Sequence, residues 1–488
     1  MRTLPVAFPF LALSLGLLAG PADLVAQASW RRSYGGLGTE AATQVATTPD
    51  EGFLVTGTAG SFGNGASDLY VLRLDADGEV MWSKTYGTIA VDQGVAVSVL
   101  SDGLAVAGSS ALGVIGGYDL LLVRADANGE VLWQRTYGTS DWDLCHAMLA
   151  LEDGFLLGGI SYGAGSPEGQ AYLVRTDLNG EVLWTARTQE DLGATCEALA
   201  VHADGRVVLA GSSVQPNGDT DRFLACFNGE GEPLWTRSLP GDSTDTFSDV
   251  LITDDQRIVA IGTSYSYGPV AIINVHATDM NGSELWDRTI GNSADAGGTG
   301  ITAAQGGGFV ITGYNTLNFG APDMIYTKLD NDGYWLEGNN FGNGSPAWGS
   351  DIQATADGGY VVAGWIEGVG PGARSVYVVK TNGNGQTASL VVNTFLDPIN
   401  VEELGVAGTP LFPTFQANTE TTVSTAPLPV PGVFTITDVS GRTMHQAAVM
   451  AGATSIPTPV LSTGIYVFSL EGSGRRWVQR VVRGAIAP

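Results

Sequence analysis

The chain has 488 residues, with 50 acidic side chains against 22 basic ones and a formal net charge of −28. That surplus repels phosphate, which excludes nucleic acid and anionic membrane surfaces as partners. Gly occupies 68 positions, about twice ordinary usage, and so many turn formers favour short strands over helices.

Residues 1–28 read as a secretory signal peptide. Arg2 supplies the positive end, Val6 to Leu18 the apolar run, and Ala26-Gln27-Ala28 a small-x-small cleavage site. The run is too short to span a bilayer, and no later stretch is long enough. A secreted soluble chain beginning near Ser29, with no transmembrane segment, is expected.

Residues 29–391 carry a repeat. Trp82, Trp133, Trp184, Trp235 and Trp286 return every 51 residues. Each follows an Asx-x-x-Gly turn: Asp75 to Gly78, Asp126 to Gly129, Asp177 to Gly180, Asn228 to Gly231 and Asp279 to Gly282. The turn continues at Asp330 to Gly333 and Asn382 to Gly385, where Glu337 and Ser389 take the Trp register. A second turn, of the kind Asp153-Gly154-Phe155, also recurs seven times. Short runs rich in Val, Leu and aromatics between such turns read as antiparallel strands. Four strands per unit of this length make a propeller blade. The fold class is therefore all-β, a seven-bladed β-propeller.

The ends of the array predict how it closes. Trp30-Arg31-Arg32-Ser33-Tyr34-Gly35 matches Trp82-Ser83-Lys84-Thr85-Tyr86-Gly87, so the chain starts with the last strand of a blade. The seventh unit loses that strand, and the N-terminal one can fill its place. Trp and the residue four on (Tyr86, Tyr137, Leu239, Ile290) point to one face of a strand and would fill the space between blades.

Chemistry is sparse. His146, His202, His276 and His445 have no metal-ligand spacing. Cys145 and His146 are neighbours, which a strand points to opposite faces. Cys145 and Cys196 share a repeat position, but equivalent positions in adjacent units are often too far apart for a disulfide, so free packing thiols are expected. The Asx-x-x-Gly turns lack the closing Glu of a calcium loop. One acidic position recurs before the first strand of a blade: Glu40, Asp92, Asp143 and Asp245, with Asp191 and Asp295 nearby. The first strand lines the channel, so an acidic rim at one mouth is expected. Its carboxylates are either solvated loop groups or a site for a cation such as calcium, or for a polyol.

Residues 400–488 hold five Arg against five acids and are neutral, which leaves the whole −28 on the rest. This asymmetry marks a boundary, with 392–408 as linker and 409–488 as a second domain.

The Trp-x-x-x-Tyr-Gly, Asp-Gly-Gly-Phe-x-x-x-Gly and Asp-x-x-Gly-x-x-x-Trp pattern resembles the secreted β-propeller repeats of Bacteroidota surface proteins. The Asp-x-x-Gly-x-x-x-Trp element is also similar to the tryptophan-docking turn of quinoprotein propellers. Here, however, the turn is a residue shorter and no adjacent Cys-Cys pair exists.

Phe434 to Arg442 and Leu461 to Leu470 resemble the hairpin and the Leu-x-x-Gly-x-Tyr strand of the type A sorting domain of the type IX secretion system, and Arg475 to Arg483 resembles its basic last strand. The usual Tyr-Pro-Asn-Pro entry is replaced by Leu411 to Phe415. The resemblance implies a small β-sandwich that engages the type IX machinery and takes the chain through the periplasm to the cell surface or beyond. Two functions follow: a secreted or surface-displayed propeller that binds glycan, protein or particle, or a secreted polysaccharide-degrading enzyme with paired carboxylates on the propeller face.

Overall fold

The computed structural model describes residues 29–392, apart from 64–66, 89, 112–116, 164–166, 189–192, 292–293, 318–319 and 371, together with strand segments between 416 and 483. The signal peptide and the Leu411 to Phe415 entry lie outside the described residues, as do 461–463 of the Leu-x-x-Gly strand and Asp191. Every regular element described is a β-strand. No described helix is long and apolar enough to cross a membrane.

The first blade shows the unit. Glu40–Thr47, Phe53–Ala59, Asp68–Leu74 and Val80–Tyr86 pair antiparallel in sequence order. Equivalent sheets follow at 92–137, 143–187, 198–239, 245–290 and 296–340. The two middle strands are buried almost throughout, because neighbouring blades cover both of their faces. The outer strands alternate or lie exposed. This gradient explains why the middle strands read as continuous apolar runs.

The seventh sheet is assembled from both ends of the array. Ala347–Ala354, Tyr360–Glu367 and Arg374–Thr381 are joined by Trp30–Tyr34, antiparallel, in the register Trp30↔Lys380 to Tyr34↔Val376. Leu390–Val392 then adds a fifth, parallel strand outside Trp30–Tyr34. Each innermost strand packs against that of the next blade, and Glu40–Thr47 packs against Ala347–Ala354, so the ring closes. Apolar clusters lie in the seams. One joins Trp30, Tyr34, Phe53 and Tyr70 to Val361, Val376 and Val378 across the closure.

Six of the seven innermost strands carry a bulge at the same place, for example between Ala42 and Gln44 and between Phe247 and Asp249. The residue that follows the bulge can send its side chain to another blade. Gln44 accepts from the Val97 amide, Asp249 from the Ile301 amide and Asp351 from the Val45 amide.

The recurrent Trp is a docking residue and not uniformly a core one. Trp30 and Trp286 are buried, but Trp82, Trp133, Trp184 and Trp235 keep intermediate exposure. They stand on outer strands, where one ring edge faces solvent. Their faces lie on the turn glycine of the following blade. A Cβ at Gly78 would come within 2.8 Å of the Trp30 ring, and one at Gly180 within 2.9 Å of Trp133. Gly78 also has φ of 77°, so both the close approach and the backbone require glycine there.

In the C-terminal part, Gln416–Thr419, Thr422–Ser424 and Ser455–Pro457 form one antiparallel sheet. Gly432–Asp438, Thr443–Val449, Gly464–Gly472 and Arg475–Arg483 form another. Phe434 and Phe468 meet edge to face at 5.5 Å in the second sheet, and both are fully buried.

Candidate functional site

The expected acidic rim is not a rim. Glu40, Asp92, Asp143 and Asp245 are all fully buried. Each begins the innermost strand of its own blade and binds nearby loop residues. Glu40 accepts from the Gly36 and Ser61 amides. Asp92 accepts from the Thr88 amide and hydroxyl, and Asp143 from those of Thr139. Asp245 accepts from Tyr265 N and from the Ser264 and Ser266 hydroxyls. The carboxylates therefore serve as loop braces, a role that any polar residue before a strand can take and that periodicity alone does not distinguish from a ligand set. Asp295 likewise accepts from the Ala271 amide. Among the described residues no three His, Cys, Asp or Glu side chains converge as a metal-holding group.

The other candidates are also structural. All three cysteines are free and buried. Burial pushes the Cys145 thiol up to about 12. His146 sits 3.2 Å from Glu197. Burial lowers its pKa, but the Glu197 hydrogen bond and charge outweigh that and raise it. The turn acids are committed too: Asp75 accepts from the Asp77 and Glu79 amides, and Asp126, Asp177, Asp279 and Asp330 do the same in their own turns.

A regular seam between blades has three parts. The Trp ring lies on the turn glycine. The Tyr four residues later donates its hydroxyl to that glycine's carbonyl: Tyr34 to Gly78 at 2.7 Å, Tyr86 to Gly129 and Tyr137 to Gly180 at 2.8 Å. A cation two residues after the Trp pairs with the Glu that follows the glycine: Arg32 with Glu79, Lys84 with Glu130, Arg135 with Glu181. Ring, hydroxyl and ion pair together leave no room for a ligand.

The seam between the fifth and sixth blades lacks two of the three. Trp286 still lies on Gly333, but the residue four later is Ile290, shorter than Tyr and without a hydroxyl. The residue after the glycine is Tyr334 where Glu is the rule, and Trp335 follows where Val80, Val131 and Val182 stand elsewhere. A cleft of about 680 Å³ opens there, lined among others by Ile290, Gly291, Asn315, Leu317, Tyr334 and Trp335. That is within the usual range for ligand sites. Leu317, Tyr334 and Trp335 are 61%, 56% and 62% exposed.

Arg288 lies in the same cleft. Its guanidinium is 4.5 Å from the Tyr334 ring centre and 5.7 Å from that of Trp286. It donates to the Tyr334 hydroxyl at 3.1 Å and to the Asp287 carbonyl at 2.9 Å. Its Nε is buried with no hydrogen-bond partner, and no described carboxylate is within ion-pair range. Asn315 and Asn340 bind each other through their amides along the wall.

Three other seams are irregular. Between the third and fourth blades Ala186 and Thr188 stand in place of the cation and the Tyr, and the Trp184 indole donates to the Gly229 carbonyl at 2.9 Å. The other two are filled. Between the sixth and seventh blades Trp348 is sandwiched, 3.5 Å from Tyr314 and 5.7 Å from Trp365, and Arg374 covers Trp365 at 3.8 Å. These ring faces are already occupied. Tyr326 takes the place of the missing Trp and lies on Gly385. Between the fourth and fifth blades Arg222, Asn274, His276 and Asp287 form a buried polar network. Burial opposes ionisation of Asp287, but His276, Arg222 and Asn274 outweigh it and hold the carboxyl well below the usual range.

The cleft can therefore stack a flat ring on exposed aromatics and donate hydrogen bonds from Arg288. It does not supply the two free carboxylates, roughly 5–10 Å apart, that glycoside hydrolysis uses. Among the described residues its only acidic lining residue is Asp287, already bound to Arg222 and Asn274. Sequence reasoning noted Ile290 but missed the cleft. The readable signal was the coincidence of Ile290, Tyr334 and Trp335, three departures from repeat consensus that meet at one seam.

A family described as "Domain of unknown function (DUF5122) beta-propeller" matches residues 54–80 and 202–233. The regulatory protein FlaEY of Caulobacter vibrioides is 24% identical over 212 residues. The match takes in 40% of this chain, which spans only 18% of that relative's length. Among solved structures, the β-propeller domain of the trilobed protease of Pyrococcus furiosus aligns with a TM-score of 0.43 at 10% identity, over 71% of this chain and 95% of that one. The PorZ surface component of the type IX secretion system of Porphyromonas gingivalis aligns with a TM-score of 0.36 at 10% identity, over 89% and 69%. The family match agrees with the propeller architecture, and the structural likenesses are too distant to bear on activity.

Proposed function

We propose that this chain is an extracellular binding propeller whose ligand, a glycan or a protein, enters the cleft between the fifth and sixth blades. The observation that carries the reading is the exposure of Tyr334 and Trp335 over a cleft at a seam without its Tyr plug and Glu partner; the seam before it has lost both as well, at Leu239 and Ser283, but has Ser283 and Glu284 in the places of Tyr334 and Trp335. Binding sites in repeat folds arise where the repeat is broken, since regular seams are spent on packing. Exposed aromatics beside polar groups are the usual make-up of a recognition surface. The single, committed carboxylate in the cleft favours binding over hydrolysis.

Export by the type IX system is the second half of the proposal. It rests on the resemblance of Phe434 to Arg442, Leu461 to Leu470 and Arg475 to Arg483 to the sorting-domain strands, and on the neutrality of residues 400–488 beside a strongly acidic remainder. Two experiments test it. An array of glycans and of envelope proteins from the source organism should show selective binding, with no release of reducing ends from polysaccharides. Removal of residues 409–488 should leave a folded propeller in the periplasm. Normal secretion of that truncation would remove the export role.

A further inference from the structure

We infer, resting on the reading of this cleft as the binding site, that its ligand is a short sugar chain bearing a single carboxylate. The argument starts from Arg288. In the regular seams its counterparts Arg32, Lys84 and Arg135 are neutralised by Glu79, Glu130 and Glu181. At this seam the Glu register holds Tyr334, so the guanidinium keeps its charge beside an open cleft. It is also held in place, between the Tyr334 and Trp286 rings. A guanidinium positioned in advance loses little freedom when it meets a carboxylate, whose two oxygens match its fork.

The remaining surfaces narrow the class. Trp335 and Tyr334 offer exposed aromatic faces, on which the apolar face of a sugar ring packs. The wall carries Thr289, Thr327 and the Asn315–Asn340 pair, short polar groups suited to hydroxyls. The number of charges is limited by the rest of the molecule. A net charge of −28 repels a polyanion at long range, and one arginine neutralises one carboxylate. A neutral chain ending in one uronic acid meets these conditions, and a polyuronate does not.

Calorimetry with three probes tests this: glucuronic acid linked to xylose, the neutral disaccharide xylobiose, and an unblocked tripeptide ending in phenylalanine. The acidic disaccharide should bind about tenfold or more tightly than xylobiose, and the advantage should shrink with salt. Arg288→Gln should abolish the difference. Arg237→Gln, in the neighbouring seam where Ser283 replaces Glu, should keep it. The comparison of the two sugars uses the unmodified protein, so it stands even if Arg288→Gln folds poorly. Equal binding of both sugars would overturn the carboxylate and leave the binding cleft standing. Binding of the tripeptide in preference to the sugars would assign the site to a chain terminus instead. Binding of none of the three would overturn the inference, and the seam-filling variant described below then judges the cleft on its own.

Discussion

The Trp30 indole donates to the Ala76 carbonyl at 3.0 Å, so the N-terminal strand, which lies outside Arg374–Thr381 in the seventh sheet, is docked on the turn of the first blade. Four residues on, the Tyr34 hydroxyl reaches Gly78 in the same turn. These bonds tie the two ends of the array across the closing seam. Trp30→Ala removes a buried ring and its hydrogen bond, at a cost of about 3–5 kcal/mol. Deleting 29–36 removes the strand and leaves Arg374–Thr381 as an open edge. Both changes should lower the melting temperature, and the deletion should also aggregate. A deletion that melts like the parent would mean the ring does not depend on this strand.

Asp92 and Asp143 are expected to act as braces. Asp92→Asn and Asp143→Asn weaken the bonds from Thr88 and Thr139 in buried surroundings, and each should cost about 1–3 kcal/mol. Calcium or a chelator should leave the melting curve of the parent unchanged. A clear rise with calcium, lost in the double variant, would restore these residues to a cation site.

The fold was legible because its signals are local and repeated. Gly78 and its equivalents mark a turn by backbone conformation, the Trp spacing sets the period, and the two recurring turns count the blades. The closure was legible from Trp30 to Gly35 as an orphan strand. The cleft was not, because it is defined by residues that deviate: Ile290 is an ordinary strand residue, and Tyr334 lies in a turn whose other parts are regular. Only the seam brings them together. The acidic position misled for a related reason. Periodicity shows that Asp92 and Asp143 share an environment, and not whether that environment is solvent or protein.

The innermost strands carry a pH response. Burial, reinforced by the charge of Asp351, pushes Asp249 up to about 7. Burial pushes Asp351 up to about 6, although the Val45 and Ile352 amides oppose it. Both acids are harder to ionise in the folded chain than in the unfolded one, where their pKa is near 4. Their favourable contribution is fully present below that value and is lost as pH rises through about 6 to 7. Stability should therefore fall between pH 5 and 8 from these two groups. Asp249→Asn keeps an acceptor for Ile301 and should flatten that slope. Equal slopes in the variant and the parent would show that Asp249 ionises normally.

The thiols should be inert. With Cys145 pushed up to about 12 and Cys226 to about 11 by burial, neither forms thiolate at neutral pH. Alkylation of the native protein should label none of the three cysteines, and alkylation after unfolding without reductant should label all three. A species two mass units lighter, with Cys145 and Cys196 unlabelled, would reveal a disulfide.

The most direct test of the binding cleft is to rebuild the regular seam. Ile290→Tyr with Tyr334→Glu restores the plug seen at Tyr34, Tyr86 and Tyr137 and gives Arg288 the partner that Arg32 has in Glu79. Affinity for the ligands selected on the array should be measured for this double variant and for the parent, alongside their melting temperatures. The expected result is loss of binding with stability unchanged or raised, because the seam is filled and a cation is neutralised. Binding retained at parental affinity by a folded double variant would contradict the account and move the ligand to another surface of the propeller.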